Sequence, residues 1–169
     1  MYTLSETSLK MLKGVHPNLV NFMTELIKIS PWNFKITAGV RTAEEQNKLY
    51  QQGRTVKGIK VTKVDGYKQK SNHQVKYDGL GYAVDIGVLV KEKVNVSVME
   101  NGKKVEKVIE KDVYKGTWRD FHFYQDIYNT ANKAGLLEKY GIEWGGNCWR
   151  TFKDAPHWQI EGADRVAYR

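Results

Sequence analysis

The stretch VNVSVMENGKKVEKVIE, residues 94 to 110, alternates apolar and polar side chains on both sides of Asn101-Gly102. A period of two has no single face on a helix, whereas paired antiparallel strands gather every second residue on one side. Asn-Gly tolerates the positive φ angles of a two-residue type I′ turn, so this run predicts a β-hairpin from about Val90 to Lys115. Such a hairpin needs a sheet to belong to. It either decorates that sheet or walls a cleft beside it.

Helical periods come first along the chain. Residues 5 to 13 predict a short helix capped by Ser5 and ended at Gly14. Pro17 suits the first turn of a second helix that places Leu19, Met23, Leu26 and Ile27 on one face. NFKITAGV then alternates Phe34, Ile36, Ala38 and Val40, which reads as a strand. In RTAEEQNKLYQQG, Thr42 and Glu45 form a capping box and Gly53 ends the helix. Residues 54 to 80 are polar, rich in Gly and Lys, and read as loop.

GYAVDIGVLV is a further strand. A helix is expected from Trp118 to Lys133, with Trp118, Phe121, Tyr124, Tyr128 and Ala131 on its stripe and Gly135 beyond it. HWQIEG supplies a last short strand. Helices first, then strands interrupted by one long helix, argue an α+β fold: a small antiparallel sheet flanked by helices. A length of 169 residues, without repeats or linkers, is expected to make one domain over 1–169 with no second domain appended.

The lone Cys148 excludes an internal disulfide framework. The start, MYTLSETSLKMLKG, lacks the basic and apolar regions of a secretory signal, and no run approaches the ~18 apolar residues of a spanning helix. The formal charge of +8 favours polyanionic surroundings: nucleic acid, anionic lipid or an acidic wall polymer. Neither zinc-finger spacing, nor an RNA-binding aromatic signature, nor a basic helix accompanies it, so nucleic acid is not expected as a partner.

Two polar clusters carry the chemistry. SNHQVKYDGLGYAVDIG (71–87) holds His73 and Asp85, and WGGNCWRTFKDAPHWQIEG (144–162) holds Asp154 and His157. A catalytic zinc site takes three N, O or S ligands and keeps one position open, and His73, Asp85 and His157 offer N, O and N. Asp154, three residues before His157 and beyond the stiff Pro156, can face the same cavity to move a proton. The residues alone leave a plainer alternative open, in which Asp154 caps a turn and His157 is a buried, hydrogen-bonded histidine.

These clusters carry a resemblance. Ser71-x-His73, Gly81-Tyr82-Ala83-Val84-Asp85, EWGGNCW and DAPHW resemble the motifs of the zinc D,D-/L,D-peptidases of bacterial cell-wall metabolism. FKITAGVRTAEEQNKLYQQGR is similar to the strand–Arg–helix segment of that family's L-alanoyl-D-glutamate endopeptidases, used by bacteriophages as endolysins. The likeness covers roughly residues 9 to 90 and 117 to 161. One departure stands out: the family glycine falls due at Lys76, but Gly81 comes five residues later. The loop from Gln74 to Gly79 then bulges between two ligands, and an ungapped count back from Asp85 would make Asp78 a competing oxygen ligand.

The resemblance implies a hedgehog/D,D-peptidase-like zinc peptidase fold and one Zn²⁺ on His73, Asp85 and His157. It also implies Asp154 as general base then acid, and Arg41 as the cation at the scissile carbonyl. Arg41 as a surface salt bridge at a helix start is the alternative. Ser71 orients substrate or simply shapes a turn. Trp144 and Trp149 are expected to pack under the site, His16 and His122 to be structural, and Cys148 to be a small buried residue rather than a thiolate ligand. The implied activity is cleavage of the peptidoglycan stem peptide between L-Ala and D-Glu by a monomeric phage lysin. It would be made in the host cytoplasm and reach the periplasm and wall through a separate holin. A D-Ala-D-Ala carboxypeptidase or dipeptidase, and a non-catalytic zinc-binding module, are the alternatives.

Overall fold

The computed structural model describes residues 1–148 and 153–169. Its helices of five residues or more are α1 (Glu6–Met11), α2 (Pro17–Ile29), α3 (Ala43–Gln51), α4 (Phe121–Lys133) and α5 (Leu136–Tyr140). Its strands are β1 (Asn33–Ala38), β2 (Ala83–Glu100), β3 (Lys103–Lys115), β4 (Ile142–Trp144) and β5 (His157–Ile160). They form one antiparallel sheet in the order β1-β2-β5-β4, with β3 on the edge of β2 that β5 leaves uncovered. The fold is α+β.

The caps account for the helix starts. Ser5 accepts from the Ser8 amide, Pro17 occupies the first turn of α2, and Thr42 and Glu45 close a capping box on α3. The strands alternate. Phe34, Ile36, Val84, Ile86, Val88, Ile142, Trp144 and Trp158 point into one core, against Leu19, Phe22, Met23, Leu26 and Ile27 of α2 and Tyr124, Ile127 and Ala131 of α4. The other sheet face is left for polar side chains: Asp85 on β2, His157 and Gln159 on β5 and Glu143 on β4.

The structure corrects the sequence reading at three places. GYAVDIGVLV and the first hairpin arm are one strand of 18 residues, so the hairpin is the far half of β2 paired with β3. Its turn has φ of 50° at Asn101 and 73° at Gly102, as a type I′ turn requires. Val40 is not in β1: the register shifts between Ile36 and Ala38, the strand ends, and Val40 is exposed. Trp118 is off the α4 stripe and 82% exposed, because Trp118–Asp120 is a 3₁₀ turn and true α-periodicity starts at Phe121. Among the described residues no helix is long and apolar enough to cross a membrane.

Candidate metal centre

Register builds the site. Asp85 lies directly across the ladder from His157, so the two side chains must project from the same face. On its other edge Asp85 pairs with Ala38, where β1 ends. The chain then turns through Gly39, and the carbonyl of that residue lies 2.8 Å from His73 Nδ1. Ser71 Oγ accepts from the His73 amide, the Ser71 amide donates to Gln74, and Gln74 donates to Gly66 O, so Ser71 shapes the turn that presents His73.

The outcome is a compact cluster. His73 is 2% exposed and His157 6%, and their ring centroids stand 5.2 Å apart. One candidate ligand atom from each of His73, Asp85 and His157 lies within 4.8 Å of the others. Asp85 Oδ1 is 3.2 Å from His73 Nε2 and 3.1 Å from His157 Nδ1, while Oδ2 accepts from Arg41 Nη2 at 2.9 Å.

The hydrogen-bond partners fix the tautomers. A carbonyl can only accept, so His73 Nδ1 carries a proton, and in the neutral ring Nε2 then offers its lone pair on the Asp85 side. Gln159 donates through Nε2 to Glu143, so its Oε1 accepts from His157 Nε2 and from Asn72 Nδ2. His157 Nδ1 therefore faces inward. His73 Nε2, Asp85 Oδ1 and His157 Nδ1 thus converge as one nitrogen, one oxygen and one nitrogen ligand atom, which is a donor set that a cation fits.

The electrostatics agree. Burial pushes His73 below its ordinary pKa. Burial opposes protonation of His157 as well, but the Asp85 and Asp154 carboxylates overcome it and raise that pKa. Burial would raise Asp85, yet the two histidines hold it well below the usual carboxylate range. The centre calls for positive charge. A metal ion held by these three side chains would supply it.

Asp154 sits beside this cluster. Burial and then the Asp85 charge raise its carboxyl above the ordinary value, against His157 and Arg41. Its backbone is tied to Gly145 and to His157. Arg41 donates to Asp85 and to the buried Gln46, whose amide in turn donates to Thr62 and Val64 O. Asp78 lies elsewhere: its carboxylate accepts from Tyr82 Oη and from the Leu80 amide.

Among the other residues singled out, Trp144 is buried, donates to Ala155 O and stacks on Tyr128. His16 caps α2 and meets the Tyr82 ring edge-on, and His122 is exposed on α4. Trp149 and the side chain of Cys148 lie outside the described residues. Sequence reading missed Gln46, Asn72, Lys76, Glu143 and Gln159, since amides and charged residues in polar stretches carry no periodic signal. For Glu143 and Gln159, alternation with Trp144 and Trp158 was the available clue.

Gly39 gives a first prediction. A Cβ there would stand 1.9 Å from the Met11 carbonyl oxygen, a backbone atom. Gly39→Ala should therefore cost about 1–3 kcal/mol of stability and displace the carbonyl that orients His73. Urea unfolding checks the first effect and zinc titration the second. A variant equal to wild type in both would remove Gly39 from the site.

Comparison with known proteins agrees with this architecture. The chain is 30% identical over 125 residues to the peptidoglycan L-alanyl-D-glutamate endopeptidase CwlK of Bacillus subtilis (strain 168), covering 74% of this chain and 59% of that protein. The chain thus spans under two thirds of that relative's length. Its fold is similar to that of the L-Ala D-Glu endopeptidase ChiX of Serratia marcescens, with a TM-score of 0.58 and 24% identity over 95% of this chain and 90% of that one. The family model for phage L-alanyl-D-glutamate peptidases matches residues 1–116, which include Arg41, His73 and Asp85 and stop before Asp154 and His157. By that match the chain belongs to the phage L-alanyl-D-glutamate peptidase family.

Proposed function

We propose that this chain is a zinc-dependent peptidase that hydrolyses the L-Ala–D-Glu bond of the peptidoglycan stem peptide in phage-driven host lysis. The observation that carries the reading is the meeting of His73 Nε2, Asp85 Oδ1 and His157 Nδ1 on the open face of the sheet, with Asp154 and Arg41 beside them. Family membership and the name of the Bacillus relative support the substrate.

His73, Asp85 and His157 hold the zinc ion in this reading. Bound there, the ion acidifies water and polarises the scissile carbonyl. Asp154 takes the proton from the attacking water at a carboxylate oxygen and returns it to the departing nitrogen. A carboxyl whose pKa is raised by burial suits both halves of that task. Arg41, held by Asp85 and Gln46, keeps its remaining N–H groups for the charge that develops on the carbonyl oxygen. The tail of the chain bonds back to the loop of His73, which supports residues 1–169 acting as one catalytic unit. The enzyme then works as a monomer on the wall after a separate holin opens the membrane.

Digestion of purified peptidoglycan followed by mass spectrometry of the fragments tests the reading. New N-terminal D-Glu is the expected product, free D-Ala would instead mark a carboxypeptidase, and no cleavage by zinc-loaded protein would leave a binding module. Zinc itself should stabilise the fold, by about 2.7 kcal/mol at a free concentration ~100 times its Kd. A melting temperature indifferent to zinc and to chelator would argue against the metal.

A further inference from the structure

The insertion between His73 and Asp85 is a built element. Lys76 bonds through its amide to Leu80 O, Gly79 bonds to Lys76 O, and Val75 bridges Gly81, so the segment closes as a tight hairpin. That hairpin recruits the chain terminus. Lys76 pairs with Tyr168, and the Tyr77 amide donates to Ala167 O.

Lys76 is 0% exposed in spite of its charge. Its ammonium donates to Asn72 Oδ1 at 2.7 Å and to Ala163 O at 3.0 Å, and lies 3.5 Å from the centroid of the Tyr168 ring. Burial pushes its pKa down to about 8 against the attraction of Asp164, so a charge at this position is costly and those partners offset the cost. The Tyr168 hydroxyl stands 3.1 Å from the same Asn72 Oδ1 and 3.0 Å from Lys70 O, so its one proton is shared between the two acceptors.

Asn72 is the node. Its oxygen receives the Lys76 ammonium and lies within hydrogen-bond reach of the Tyr168 hydroxyl. Its amide nitrogen donates to Asp164 Oδ1 at 2.7 Å and to Gln159 Oε1 at 3.0 Å. Gln159 Oε1 is also the acceptor that orients His157, while Asn72 precedes His73 in the chain. One amide therefore links the supports of both imidazoles of the candidate metal centre. We infer that Lys76 and Tyr168, acting through Asn72, are positioning residues that hold His73 and His157 at metal-binding geometry. The inserted hairpin and residues 162–169 thus belong to the site and do not merely decorate it.

This inference rests on the metal reading given above, and the experiment separates the two. Zinc affinity by competition with a chromophoric chelator, and the visible spectrum of the Co²⁺-substituted chain, are measured for wild type, Lys76→Met, Tyr168→Phe and the core control Ile127→Val. Lys76→Met should bind zinc at least about tenfold more weakly and alter the Co²⁺ bands, the size of effect that support groups behind metal ligands have. Tyr168→Phe, which deletes one hydroxyl, should move both readouts in the same direction. Ile127→Val, on the helix-covered face, should lower the melting temperature and leave both unchanged.

Wild-type affinity and spectrum in Lys76→Met and Tyr168→Phe would overturn the inference and spare the metal site. If Lys76→Met does not fold, Tyr168→Phe alone decides. A wild-type chain that takes up neither zinc nor Co²⁺ would overturn the metal reading and this inference with it.

Discussion

Changing Asp154 to Asn is expected to lower kcat on purified peptidoglycan by about 10²–10⁴-fold while zinc uptake stays at the wild-type level. The amide keeps the shape of the side chain and gives up the basic oxygen, so substrate and metal affinities should hold while proton transfer fails. Single-turnover digestion together with metal analysis of the same preparation reads both quantities. A variant that still lyses walls at the wild-type rate would take Asp154 out of the chemistry. One that loses zinc would make it a structural support, consistent with its backbone hydrogen bonds to Gly145 and His157.

Trp158→Ala should cost about 3–5 kcal/mol of folding stability, the range for emptying a buried aromatic site. Trp158 is completely buried, and its ring lies 5.4 Å from Phe22 and 5.8 Å from Trp144, centroid to centroid, so neighbours on α2 and β4 both lose a face. Because the same strand presents His157 on its reverse side, activity should fall together with stability. Urea denaturation with a parallel activity series checks this. A loss below ~1 kcal/mol would mean that the core collapses onto the gap.

Much of the frame was legible because local chemistry dictated it. The capping box of Thr42 and Glu45, the Asn101-Gly102 turn and the apolar face of α2 each need only a few neighbouring residues to be recognised. Two short elements without a turn or side-chain cap signal of their own, β4 and α5, were not legible. β4 has three residues, and α5 is marked only by the left-handed glycines Gly135 and Gly141 at its ends. Trp118 misled because a 3₁₀ turn rotates it out of phase with the helix it precedes.

The site divides in the same way. His73, Asp85 and His157 stood out as ligand types in motif-bearing stretches, and the structure brings them together. Their pairing depends on a ladder between positions 72 residues apart, which no local pattern encodes. Lys76 sits in a lysine-rich stretch that reads as solvated loop, and only the tertiary fold buries it. Asn72 and Gln159 are likewise ordinary polar residues until both are seen bonding to one another.

The pairing of Asp85 with His157 has a consequence for faulty copies of the protein. Sliding β5 by a single position would turn the imidazole inward and Trp158 outward, since strand neighbours face opposite ways. Greasy and ligating groups thus veto the same mistake, and a mispaired chain would be both unstable and inert.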